Sequence, residues 1–219
     1  MVTQTSRWDT GFPDPEQLRE TARQARQLPT EPMSRGVRAI VGGAVAVWLV
    51  TVLVVYSTLP ERVPTHWDGS EPDDWSSRAG ALVAFVVGPI AIGAVLRLVT
   101  SLVLRWPQGI NAPNKEYWLQ TPQRLRHFER LAREDLMLIG ALTTLLFAAI
   151  SVMTGVAAHR EGGELPGVFF SVIMIAFMAG ILGLVVRMLL GRRYQPSDEA
   201  VWPAVEDRRG CVASTGASG

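Results

Sequence analysis

LPERVPTHWDGSEPDDWSSR, residues 59–78, decides the architecture, because a long apolar run flanks it on each side. Three prolines, one glycine and five carboxylates rule out a helix through most of it. The stretch reads as a polar, turn-rich loop that holds two tryptophans and one histidine among its charges. Outward from it, 22 residues between Arg38 and Glu61 carry no charge, and 18 between Arg78 and Arg97 carry none. Further on, 23 uncharged residues separate Asp135 from His159 and 22 separate Glu164 from Arg187. About 20 residues at roughly 1.5 Å each cross a hydrocarbon core of roughly 30 Å. The four runs are apolar on every side, whereas buried helices of soluble proteins keep a polar stripe.

The expected fold class is therefore an all-α integral membrane protein. It has four transmembrane helices, short loops and a cytoplasmic amphipathic helix. Spans are placed at about 39–59, 79–104, 136–158 and 168–190. Residues 1–36 form a solvated cytoplasmic N-terminal arm, with a short helix opening at Asp14 and Pro15. Residues 37–191 are the membrane domain, and residues 192–219 a disordered cytoplasmic tail. The lone Cys211 excludes a disulfide framework within the chain.

Lysine and arginine set the orientation. Fourteen lie in the arm, the central loop and the exit of the fourth span, against three in the loops 60–78 and 159–166. Positive charge collects on the cytoplasmic side, so a multi-pass plasma-membrane protein with both termini inside is expected. The histidine-tryptophan loop then faces outward.

Within the central loop, Thr121-Pro122 reads as a helix start, an N-cap followed by proline. Leu125, Phe128 and Leu131 then repeat against Arg126, Arg130 and Arg133. That pattern suits a basic amphipathic helix in the lipid interface, or equally an N-terminal extension of the third span. Anionic headgroups are a nearer partner for these arginines than nucleic acid, and no nucleic acid is expected. Gly88-Pro89 marks a kink in the second span. Trp48 falls mid-span, where it packs. Ala176, Ala179, Gly180 and Gly183 give the fourth span a small-residue face for tight helix packing.

Chemistry is sparse. His66, Asp68, Glu71, Asp73 and Asp74 offer one imidazole and four carboxylates, but neither the alternating order of a calcium loop nor HExxH. A solvated acidic loop capped by two interfacial tryptophans is the reading, with no metal, no cofactor and no catalytic residue. The spans hold no Asp, Glu, His or Lys in their interiors, which disfavours an ion-coupled transporter or an enzyme.

The order Leu59-Pro60-x-x-Val63-Pro64-Thr65-His66-Trp67-Asp68, then Pro72-Asp73-x-Trp75 and Ser77-Arg78, resembles a known pattern. It is similar to the domain of unknown function at the start of SdpI-type immunity proteins. A second stretch, Asn111-x-Pro113-Asn114-Lys115-x-Tyr117-Trp118-Leu119, resembles a segment following the second span in that family. The two motifs and their spans cover about residues 38–160, with Gly69 one place earlier than in the family pattern. The resemblance implies a binding or immunity module that recognises an extracellular peptide ligand through its outer loop. The alternative is a structural or signalling subunit paired with another membrane protein. His66 either bonds loop backbone or Asp73, or contacts a ligand directly.

Overall fold

The computed structural model describes residues 13–165 and 167–196. In chain order these form α1 (Pro15–Gln27), α2 (Arg35–Thr58), β1 (Arg62–Asp68), β2 (Glu71–Ser77) and α3 (Arg78–Arg105). After them come α4 (Lys115–Leu119), α5 (Pro122–Ala158) and α6 (Gly167–Leu190). Among the described residues four helices, α2, α3, α5 and α6, are long and apolar enough to cross a membrane, as expected. One departure is immediate: the segment read as a turn-rich loop is an antiparallel β-hairpin, so the described residues are helical with one two-stranded sheet.

Short polar side chains start these helices by accepting from orphan backbone N–H groups. Ser34 Oγ accepts from Val37 N at 3.4 Å in α2, and Ser77 Oγ from Gly80 N at 3.1 Å in α3. Thr121 Oγ1 accepts from Arg124 N at 3.3 Å, with Pro122 in the first turn of α5, where the sequence places it.

α5 is the axis of the molecule, and α1, α2, α3, α4, α6 and β1 all pack on it. Its 37 residues make about 55 Å of helix at roughly 1.5 Å each, more than the hydrocarbon needs. The excess is the segment carrying Leu125, Phe128 and Leu131, which are 0%, 5% and 4% exposed. These residues pack on protein, so the segment extends the third span and is not a separate helix lying in the lipid interface. What covers it includes α1: Leu18, Ala22 and Ala25 recur on one face and are buried, and Arg26 Nη1 donates to Leu104 O at 2.6 Å. The arm expected to be solvated is thus docked from Pro15 onward, because small alanines let α1 lie close on its neighbours.

The other end of the chain is corrected similarly. Arg192–Tyr194 is a 3-10 turn with Tyr194 buried, so the expected disordered tail does not begin at residue 192. The remainder of that expectation, residues 197–219, lies outside the described residues.

Inside the helical layer, α3 runs through Pro89 without a break. Proline has no N–H to give the Phe85 carbonyl four residues back. Trp48 Nε1 of α2 donates to that carbonyl instead, at 3.1 Å, in a buried setting. Gly88 gives α5 room: a Cβ there would lie 2.3 Å from Phe147 Cε1. One apolar cluster joins Trp48, Val52, Val55 and Leu59 to Val63, Ala81, Phe85 and Ala148, tying the hairpin base to α2, α3 and α5.

α6 buries no residue fully, and its small-residue face is divided. A Cβ at Gly180 would sit 2.7 Å from Leu142 Cδ2, whereas one at Gly183 meets nothing within 4 Å. Ala176 and Ala179 are exposed as well. Gly180→Leu is expected to lower the thermal midpoint in detergent through overpacking of about 1–3 kcal/mol. Gly183→Leu should leave that midpoint unchanged. Equal midpoints for the two variants would contradict the packing of Gly180 on Leu142.

Candidate functional site

The hairpin carries the first motif. Asp68 faces Glu71 across a two-residue turn, and Gly69 at its first position has φ 67°. A glycine with positive φ there fits a type II′ turn, whose twist matches that of paired strands. From this turn the register pairs Trp67 with Pro72, His66 with Asp74 and Pro64 with Trp75, irregularly on both sides of His66. Those irregularities turn the His66 ring toward Asp73, and Nδ1 lies 2.6 Å from Asp73 Oδ1. The hydrogen bond that the ring gives to Asp73 raises the His66 pKa, and the charges of Asp73, Asp74 and Asp68 add to it.

Both tryptophans hold the second loop on the same side of the molecule. Trp67 Nε1 donates to Gly163 O at 3.0 Å, and Leu165 N donates to Ser70 O at 2.9 Å. Trp75 lies on Gly163 itself, where a Cβ would come within 2.7 Å of Cη2 and 3.2 Å of Pro72 Cγ. Gly163 has φ 74°, so glycine is required for conformation and for space alike. The tryptophans therefore clamp loop to loop, where the sequence reading had them capping an acidic loop at the membrane surface. Val63 and Pro64 are buried at the base, while Asp68, Glu71, Asp73 and Asp74 are exposed.

Stability of the pair depends on pH with a definite sign. A raised folded-state pKa stabilises the hairpin fully below the unfolded value and is lost as pH rises through the folded value. Asp73→Asn is expected to lower the His66 midpoint, followed by NMR of its ring protons, toward the ordinary histidine range. A midpoint equal in wild type and variant would show that Asp73 does not hold the ring.

The second motif lies at the opposite end of α5, so the two motifs do not share a site. Asn114 adopts the left-handed conformation at φ 55°, and its Nδ2 donates to Tyr194 O at 3.1 Å. Lys115 and Tyr117 open α4, Tyr117 meets Trp118 edge-on at 4.9 Å, and the Arg124 guanidinium lies 4.0 Å from the Tyr117 ring centre. Trp118, 1% exposed, stacks on His127 at 6.1 Å. Asn111 and Pro113 border a cleft beside this cluster.

An ionic cluster that sequence reasoning missed surrounds the same end of α5. Glu134 and Asp135 are each 1% exposed. Arg193 Nη2 donates to Glu134 Oε2 at 2.6 Å, and Ser34 N donates to Glu134 Oε1 at 2.6 Å. Asp135 accepts from Arg187 Nη1 at 3.1 Å and from Tyr194 OH at 2.7 Å. Arg193 Nε lies 3.3 Å from Asp135 Oδ1, an ion-pair distance off the line of a hydrogen bond. Arg126 donates to Leu28 O, Pro29 O and Thr30 Oγ1, and Glu31 is shared by His127 and Arg130. Burial alone would raise the Glu31 pKa, but His127 and Arg130 outweigh it and lower it. Burial together with the bond to Asp135 pushes the Tyr194 phenol up, keeping it a donor. Glu129–Arg133 and Arg130–Glu134, each four residues apart, are the signal legible in sequence.

Residues 43–88 match a domain of unknown function, DUF1648. That stretch runs from α2 through the whole hairpin into α3. The chain is also similar to an uncharacterised protein of Archaeoglobus fulgidus, 29% identical over 152 residues that cover 62% of this chain and 76% of that one. No solved structure matches it.

Proposed function

We propose that the chain is a multi-pass plasma-membrane protein with both termini cytoplasmic, whose hairpin recognises an extracellular peptide. One observation carries the reading: the hairpin is held rigidly at its base and flank while its charged tip stays exposed. Val63 anchors it in the helical core, and Trp67 and Trp75 lock it to Gly163. His66, Asp68, Glu71, Asp73 and Asp74 remain accessible, and such preorganised side chains bind at low entropic cost. The acidic excess favours a cationic, membrane-active peptide, the kind of ligand an immunity module of the SdpI type answers. The asymmetry of fourteen cations against three supports the outward placement of the hairpin.

A strain lacking the gene is expected to become more sensitive to cationic membrane-active peptides. Wild type should restore survival, and His66→Gln, expressed at the same level, should not. Unchanged survival of the deletion strain across such peptides would sink the immunity reading. For placement, a cysteine at Ser70 in a Cys211→Ser background should react with an impermeant maleimide on intact cells, and one at Gln120 should not. A second reading, a subunit of a membrane complex, is favoured by α6, which buries no residue fully and is free to pack on a partner.

A further inference from the structure

α3 and α6 each pack on α5 and barely on each other, which leaves a gap between them at the end that holds the ionic cluster. The gap is a cleft of about 360 Å³, lined by Val99 of α3, Trp106 and Ile110 of the segment after α3, Phe128 and Leu136 of α5, and Met188 of α6. Water is a poor filling for such walls, because a trapped molecule needs polar partners. Leu98 and Leu189 beside it are 57% and 60% exposed, so the cleft adjoins the apolar surface that faces lipid.

Arginines neighbour several of the lining residues in sequence. Arg187 precedes Met188, its side chain is 40% exposed, and it gives Asp135 one hydrogen bond at 3.1 Å. A guanidinium has five N–H donors, so donors are left over for an oxyanion. Arg105 precedes Trp106 and Arg192 opens the turn of Tyr194; both are exposed, and neither has an ion-pair partner among the described residues. Around the cluster the arginines 130, 187 and 193 are matched by Glu31, Glu134 and Asp135, so Arg105 and Arg192 add positive charge that no described carboxylate offsets. An apolar slot whose lining residues adjoin exposed arginines in the chain matches an acyl chain beneath an anionic headgroup.

We propose that this cleft binds one anionic glycerophospholipid, an acyl chain between α3 and α6 and its phosphate on Arg187. The site is independent of any ligand at the hairpin, so its test is too. The full chain is reconstituted in nanodiscs of equal phosphatidylglycerol and phosphatidylcholine, then released and weighed by native mass spectrometry. One phosphatidylglycerol per chain is expected to be retained in preference to phosphatidylcholine. Arg187→Gln should lower that retention about tenfold, as loss of a charge-assisted hydrogen bond does. Ala132→Leu, which fills the cleft wall and leaves every arginine in place, should abolish it. Should Arg187→Gln fail to fold, Ala132→Leu and Arg192→Gln carry the comparison. Equal retention of the two lipids, retention surviving the filled cleft, or a dimer in place of the lipid adduct would each overturn the proposal.

Discussion

Asp135→Ala is expected to destabilise the protein by about 3–5 kcal/mol, read as a lowered thermal midpoint by circular dichroism in detergent. The size follows from what remains behind. Arg193 and Arg187 would lose a shared anion, and the buried Tyr194 hydroxyl would lose its acceptor. A charge left without its partner away from water costs more than the pair contributed. Asp135→Asn keeps an acceptor for Tyr194 and should fall between alanine and wild type. Arg192→Ala, at an exposed position, should stay within about 0.5 kcal/mol. If Asp135→Ala melts with wild type, the cluster is not what holds the Tyr194 turn to α5.

The second large effect lies in the helical layer. Trp48→Phe is expected to cost about 1–3 kcal/mol, because the Phe85 carbonyl would be left buried without a donor. Its cause is Pro89, so the two positions should be coupled. Pro89→Ala supplies the missing N–H, and Trp48→Phe made in that background should cost markedly less. The double-mutant cycle measures this coupling directly. Additive effects would mean that Trp48 acts by filling space, and that its indole hydrogen bond contributes little. In hydrocarbon no water can take the place of that donor, which is why the exchange between helices matters there.

The spans were legible because hydrocarbon imposes one crude requirement, length without charge, and the four uncharged runs state it openly. The helix start at Thr121-Pro122 was legible from capping alone. The hairpin was not, because Pro64 and Pro72 read as breakers. Yet both prolines lie in a two-stranded sheet, where every strand is an edge and a missing N–H is tolerated. Asp68-Gly69 was the available signal of a tight turn. The clamp between the tryptophans and Gly163 spans about ninety residues of sequence, and nothing local announces it. The ionic cluster was hidden for the same reason. Its i,i+4 pairs along α5 show in the sequence, but its closure by Glu31, Arg187 and Arg193 depends on tertiary folding. The division of the α6 face, with Gly180 packed and Gly183 open, depends on which way that helix is turned.

The central place of α5 bears on how the chain is made. Synthesis delivers α2, the hairpin and α3 to the bilayer before the helix on which all three pack. Until the third span emerges, Trp48 can reach the Phe85 carbonyl, but Val63 lacks the wall formed by α5 and Gly88 has no Phe147 ring above it. Until then the first two spans have few packing partners but each other. The order of synthesis therefore runs against the order of dependence in the finished fold.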